Sequence, residues 1–214
     1  EGEIVLSTNT LIDITESNFW FRSLVLGDIN DDGFVDFVVR GDSNPTTPHD
    51  EVMVMINDAS GNPSYSNVKN FSSAESILLI DLNSDGKDDL VLANATTNDE
   101  YDILVYQNTG ISPWYSSIPT FTVETDFQIV KNMARGDFNK DGAEDMVIMV
   151  KDDSDYQIWV LHNMDGLPAT DPEYLDDSFD SIMEFNTKVD LKGQSIGYSY
   201  SIRIADMNGD GLLD

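Results

Sequence analysis

Asp28-Ile29-Asn30-Asp31-Asp32-Gly33-Phe34-Val35-Asp36 is the first of four copies of one nonapeptide, Asp-x-Asn-x-Asp-Gly-x-x-Asp. The other copies run from Asp81 to Asp89, from Asp137 to Asp145 and from Asp206 to Asp214. We call them the first to fourth loops and number their positions one to nine. Position six is always glycine, which allows a sharp turn because it takes a positive φ without steric cost. Four gapless copies indicate one structural unit that repeats along the chain.

The side chains at positions one, three, five and nine predict a calcium site in each loop, up to four ions in all. Ca²⁺ takes about six to eight oxygen ligands in a flexible shell, whereas Mg²⁺ prefers a small rigid octahedron. Zinc is disfavoured because every offered side-chain ligand is an oxygen. A metal-free acidic turn is the alternative. The predicted ligands are Asp28, Asn30, Asp32, Asp36, Asp81, Asn83, Asp85, Asp89, Asp137, Asn139, Asp141, Asp145, Asp206, Asn208, Asp210 and Asp214.

An EF-hand loop is the main rival interpretation of this spacing. That loop needs an acidic ligand at position twelve and is flanked by helices. Position twelve of the three complete copies is Val39, Leu92 and Ile148, so the ligand is absent each time. Runs of β-branched and apolar residues follow the loops, which predicts a strand–loop–strand hairpin instead.

A second repeated feature is a six-residue apolar run that ends in Asn. The Asn lies 26 to 29 residues after the first Asp of each of the first three loops. One further copy of the run precedes the first loop. Asn tolerates the left-handed conformation, so we expect it to serve the turn that follows. No stretch has a convincing helical period. The predicted strands are 24–26, 77–80, 132–134 and 202–205 (strand A, before the loop), 34–39, 88–92 and 145–150 (strand B, after it), 4–9, 52–57, 103–108 and 158–163 (strand C, ending in Asn), and 65–71, 120–126 and 181–189 (strand D).

Units of about 50 residues with four strands and no helix are typical of β-propeller blades. The pattern Gly-Asp-x-Asn-x-Asp-Gly-x-x-Asp followed by an apolar strand resembles the FG-GAP or VCBS-type repeat of integrin α subunits. Gly27-Asp28 and Gly136-Asp137 match it, whereas Ile80 and Ala205 replace the glycine. The resemblance implies calcium in the hairpin between strands A and B. It also implies a protein or glycan ligand on the opposite face, here residues 41–50, 95–100 and 151–155.

The predicted fold class is therefore all-β: a propeller of four-stranded antiparallel blades with calcium loops in the A–B hairpins. We expect one propeller region over residues 1–214, with strands C and D of a preceding blade in 1–19. Blades follow in 20–72, 73–127 and 128–190, and another blade starts in 191–214. A propeller needs roughly four to eight blades to close, so we expect further blades from the same protein or another chain. Segment 164–180 is predicted to be an exposed insertion.

Composition restricts the possible partners. The chain has 40 Asp and Glu residues against 11 Lys and Arg, a formal charge of −29. Nucleic acid and anionic membranes are poor partners because their phosphates attract a basic surface. The absence of Cys excludes disulfides and thiolate chemistry. No apolar run approaches the ~18 residues of a membrane span, and calcium sites of modest affinity suit an extracellular location.

Other candidate residues carry less weight. Arg40-Gly41-Asp42 spells a cell-attachment tripeptide, but the same tripeptide recurs at 135–137 inside a repeat, so we interpret it as chance. Asn70 and Asn94 begin glycosylation sequons, and Trp114 is the best candidate for an exposed aromatic ligand contact.

The sequence favours a non-enzymatic function: a secreted or cell-surface, calcium-binding propeller serving adhesion, ligand binding or scaffolding. No nucleophile elbow or phosphate-binding glycine loop is present. Two alternatives remain, a propeller module of a secreted polysaccharide-active enzyme such as a glycoside hydrolase or polysaccharide lyase, and a structural subunit of a cell-surface assembly.

Overall fold

A computed structural model of the chain describes residues 20–42, 50–57, 63–69, 74–96, 100–125, 127–152, 155–163, 183–190 and 202–209. These residues form β-strands and loops, with no helix among them. Accordingly, this part of the chain contains no helix of the length and apolarity needed to span a membrane.

The strands belong to three antiparallel sheets of four strands each. They are β1 (Trp20–Gly27), β2 (Asp36–Asp42), β3 (Asp50–Asn57), β4 (Pro63–Lys69), β5 (Ala74–Ile80), β6 (Asp89–Ala95), β7 (Tyr101–Tyr106), β8 (Phe121–Val123), β9 (Ile129–Gly136), β10 (Asp145–Asp152), β11 (Asp155–Asn163) and β12 (Met183–Asp190). The first sheet has the order β1-β2-β3-β4, the second β5-β6-β7-β8 and the third β9-β10-β11-β12. Each sheet is thus a meander of consecutive strands, as the repeat predicts. The described strands form open sheets, and no sheet closes on itself.

The second sheet lies between the other two and is buried on both faces. Side chains of β5 alternate: Leu79 joins an apolar layer shared with the first sheet, whereas Leu78 and Ile80 join a layer shared with the third. In β6 the same alternation sends Leu92 to one layer and Val91 to the other. Burial on both faces explains why these strands are apolar at almost every position instead of alternating with polar residues.

Most predicted strands are confirmed within a few residues. Strand D of the second unit is shorter than expected, since β8 holds only three residues. The strand predicted at 202–205 is wrong: these residues form no ladder with another described strand, and Ile202 N–H donates to the Asn132 side chain instead. The strand at 4–9 and the insertion at 164–180 lie outside the described residues.

Candidate metal centres in the sheet hairpins

The first three loops close the hairpins β1–β2, β5–β6 and β9–β10, which confirms their predicted placement between strands A and B. In each hairpin the residue before the loop pairs with position nine, as Gly27 does with Asp36. The glycine at position six has φ of +84, +83 and +95° in the three loops. Position four is also left-handed, with φ of 57, 55 and 61° at Asp31, Ser84 and Lys140. The three loops therefore share one backbone conformation.

Loop side chains accept hydrogen bonds from the loop's own backbone. In the first loop, Asp28 accepts from Asp32 N–H at 3.1 Å and from Gly33 N–H at 2.8 Å. Asn30 Oδ1 accepts from Asp32 N–H at 3.2 Å, and Asp32 Oδ1 from Phe34 N–H at 2.9 Å. The same contacts recur in the second loop at 2.8 to 3.1 Å. Three of them recur in the third loop. These bonds turn the side-chain oxygens of the loop inward.

The carboxylate at position nine is buried and joins the loop to strand C. Asp36, Asp89 and Asp145 have exposed fractions of 0, 2 and 0%. In every case Oδ2 accepts from the N–H of position two, at 2.8, 3.4 and 2.8 Å. Oδ1 accepts from the N–H of the Asn that ends strand C, at 2.7, 2.8 and 2.8 Å. Those residues, Asn57, Asn108 and Asn163, are called the strand-end Asn residues below.

Two of the three buried carboxylates are destabilised by their surroundings. The pKa of Asp89 is raised from 3.8 to about 7, mainly by burial and less by the charges of Asp85 and Asp81, while two backbone N–H groups act to lower it. Burial also raises the pKa of Asp36, with added repulsion from Asp32 and Asp28. Each of these two loops thus holds more negative charge than its hydrogen bonds offset, which a bound cation would relieve.

The donor set fits a hard cation in chemistry and charge. Asp137 Oδ1, at position one of the third loop, is buried and accepts no hydrogen bond. A carboxylate has about four lone-pair sites, so oxygens that accept one N–H can still ligate an ion. Within the described ranges, however, no group of three or more His, Asp and Glu side chains has the arrangement of a metal site. The calcium ligands predicted from sequence therefore remain a prediction.

Only residues 206–209 of the fourth loop are described. Gly209 N–H donates to Asp206 Oδ1 at 2.6 Å, and Asp206, Met207 and Asn208 are exposed. The remaining predicted ligands of this loop, Asp210 and Asp214, lie outside the described residues.

Charged residues beside the loops were missed by sequence reasoning. Arg135 donates to Asp88 of the second loop and, at 3.2 Å, to Glu144 of the third. Glu144 in turn accepts from Asp81 N–H at 3.2 Å. His162 Nδ1 lies 3.0 Å from Asp145 Oδ2. Because Arg135 contacts position eight of two loops, it joins neighbouring hairpins at one edge of the molecule.

The weaker sequence candidates have ordinary surroundings. Arg40 and Asp42 of the attachment tripeptide are buried within β2, so the tripeptide is not presented at the surface. Trp114 is half-buried against the layer between the first two sheets, which corrects its expected exposure. Asn94 lies at the end of β6, and Asn70 lies outside the described residues.

Comparison with known proteins agrees with the repeat. Residues 81–148, from the start of the second loop into β10, match the family model of an FG-GAP-like repeat. This segment resembles an FG-GAP-like repeat. This match confirms the resemblance that the nonapeptides indicate, over the part of the chain that joins the second and third sheets. No curated protein matches the sequence of this chain.

A solved structure shares the architecture. The crystal structure of rhamnogalacturonan lyase YesW at 1.40 Å resolution aligns with a TM-score of 0.51 and 13% sequence identity. The alignment covers 91% of this chain and 39% of the lyase chain, so this chain spans about two fifths of that protein's length. At this identity the likeness concerns the fold alone.

Proposed function

We propose that the chain is a calcium-stabilised, propeller-like module of an extracellular protein. The observation that carries the proposal is the repeated loop with a buried position-nine carboxylate, and burial, together with the charges of Asp85 and Asp81, raises the pKa of that carboxylate in Asp89 to about 7. The unpartnered Asp137 Oδ1 supports it, since a buried oxygen without a hydrogen bond is costly unless it binds a cation. Calcium would bind to the four side-chain oxygens of each loop and link the ends of strands A and B.

A propeller-like arrangement is supported by the apolar side chains that pack one sheet against the sheet before it. Ile77 and Leu79, four and two residues before the second loop, are buried against the first sheet with exposed fractions of 4 and 2%. Leu24 and Leu26 occupy the same positions before the first loop and are 55 and 54% exposed. We infer that another sheet of the same type packs on this face, because the two leucines repeat the residues of an interface already formed between the first two sheets.

The end of the sheets opposite the loops is the proposed ligand face. There Glu75 pairs with Arg40 at 3.1 Å and with Lys131 at 3.3 Å, so one ion network links all three sheets. This network joins β2, β5 and β9, and β5 and β9 pair with β6 and β10, the strands that lead into residues 95–100 and 151–155. Residues 43–49, 97–99 and 153–154 of the proposed face lie outside the described residues. A protein or glycan ligand that bridges adjacent sheets would meet strands that are already joined, which suits adhesion, ligand binding or scaffolding.

The second candidate is a module of a secreted polysaccharide-active enzyme. The observation that favours it is the alignment of 91% of this chain with a rhamnogalacturonan lyase. In that case the opposite face would contact a polysaccharide.

Calorimetry in calcium and in excess chelator tests the first proposal. Because closely spaced carboxylates repel one another without a cation, we expect calcium to raise the melting temperature by several degrees. An unchanged melting curve would refute the calcium sites. A glycan array that includes rhamnogalacturonan, followed by a depolymerisation assay on any bound polysaccharide, separates binding from turnover and so distinguishes the two candidates.

A further inference from the structure

Two strand-end Asn residues reach across a sheet interface to the loop of the preceding sheet. Asn108 of the second sheet donates through Nδ2 to the Ile29 carbonyl of the first loop at 2.8 Å. Asn163 of the third sheet donates in the same way to the Leu82 carbonyl of the second loop at 2.9 Å. Both Asn residues are buried, with exposed fractions of 2 and 0%. The contact therefore repeats at the same place in both interfaces.

The residue at position two is consequently held at both ends of its backbone. Ile29 N–H donates to Asp36 of its own sheet, whereas its carbonyl accepts from Asn108 of the next sheet. The Ile29 side chain is fully buried in the layer between these sheets. Position two stands between the ligands predicted at positions one and three, Asp28 and Asn30. Fixing its backbone therefore restricts where both of those side chains can point.

We propose that Asn108 and Asn163 are positioning residues for the calcium loop of the preceding sheet, so that each loop is completed by the sheet that follows it. This inference rests on the proposed calcium function and extends it, since calcium affinity then depends on how sheets are packed. If the sheet that follows a loop is loosened, that loop loses affinity for calcium. Because linked equilibria are reciprocal, calcium bound in a loop also stabilises the interface between its own sheet and the sheet that follows.

Asn163 gives the clearest test because its amide has a single described role. Its Nδ2 donates to Leu82 and its Oδ1 has no hydrogen-bond partner, while its backbone N–H still reaches Asp145 in any variant. The matched control is Asn57, which also ends strand C. Asn57 Nδ2 is directed at Val35 of its own sheet at 3.4 Å and contacts no other described sheet.

The experiment is hydrogen exchange by mass spectrometry on the full chain, with calcium titrated from chelator to excess. In Asn163→Ala, amides of 81–89 should exchange about tenfold faster, because a lost buried hydrogen bond is worth about a factor of ten. The calcium midpoint for protection of 81–89 should rise by a similar factor. Amides of 137–145 should keep their wild-type rates and midpoint, and Asn57→Ala should leave 81–89 unchanged.

The pattern of loops affected decides the inference. If Asn163→Ala loosens its own loop at 137–145 as much as 81–89, or leaves 81–89 unchanged, the positioning role is overturned. Wild-type loops that exchange equally with and without calcium would instead remove the calcium function. The pattern in chelator would still decide whether Asn163 holds the second loop.

A second variant covers the case in which Asn163→Ala does not fold. In Asn108→Ser the hydroxyl can still accept from Gly110 N–H, as Asn108 Oδ1 does at 2.9 Å, but it is too short to reach Ile29. Asn108 Nδ2 also donates to the Asp88 carbonyl of its own hairpin at 3.2 Å, so this variant loosens 81–89 as well. The deciding loss of protection is the one at 28–36, and unaltered exchange of 28–36 would contradict the proposal.

Discussion

Asp89→Asn should change the stability of this protein in opposite directions with and without calcium. Asp89 is 2% exposed, and burial raises its pKa from 3.8 to about 7. Because the folded-state pKa lies above the unfolded value, stability falls as pH rises from 3.8 to about 7, and the full cost is present above that range. A shift of roughly three units corresponds to a cost on the order of 4 kcal/mol for the charged carboxylate.

The amide removes that charge but gives up one acceptor oxygen. The short bond from Asn108 N–H can be kept, whereas the longer one from Leu82 N–H, at 3.4 Å, is lost. An unsatisfied buried donor costs about 1–3 kcal/mol. In chelator near pH 7.5 we therefore expect Asp89→Asn to stabilise the fold by on the order of 1–3 kcal/mol. With excess calcium the variant lacks an anionic ligand, and its melting temperature should fall below that of the wild type.

Calorimetry of both proteins in both conditions measures this reversal. Asp102→Asn is the matched control: burial also raises the pKa of Asp102, but this residue lies on β7 at the end away from the loops. Asp102→Asn should change the melting temperature by the same amount with and without calcium. If Asp89→Asn shifts the melting temperature equally in the two conditions, Asp89 is a structural acceptor only and the reasoning fails.

Three further predictions concern pH and the contacts between sheets. In chelator, the melting temperature should rise as pH falls from about 7.5 to 5.5, because the raised carboxylate pKa values favour proton uptake by the folded state. Saturating calcium should abolish this rise. A pH response of the melting temperature that is identical with and without calcium would count against the calcium sites. Arg135→Gln should lower stability by on the order of 1–3 kcal/mol in chemical denaturation, since Asp88 and Glu144 lose their shared cation, whereas Arg22→Gln at a half-exposed pair should change little. Gly27→Ala should destabilise by about 1–3 kcal/mol, because a Cβ would clash with the Asp88 carboxylate; a neutral effect would mean that the second loop shifts freely.

Sequence reasoning identified the four-stranded unit and the hairpin that carries each loop. Both depend on local chemistry: a glycine with positive φ at position six and apolar residues on either side of the loop. The expectation that Trp114 is exposed was wrong. Burial of this residue depends on strands from other parts of the chain, which no local pattern specifies.

The strand-end Asn residues show the difference most clearly. Their recurrence at a nearly constant distance from the loop was visible, and it was assigned to the turn that follows. In that turn Asn108 Oδ1 accepts from Gly110 N–H. Its Nδ2, however, donates to the carbonyl of Ile29, 79 residues earlier in the chain. The signal was present in the sequence, yet its meaning depended on which sheets are neighbours.

What this sequence determined by itself is the hairpin: where it turns, which oxygens face inward and how often it recurs, because these follow from interactions within nine residues. Only the tertiary structure decided that burial raises the pKa of Asp89 to about 7 and that Asn163 donates to the Leu82 carbonyl in the loop of the preceding sheet. Burial and contacts between sheets arise from the packing of segments some 80 residues apart, and that packing is a property of the whole chain.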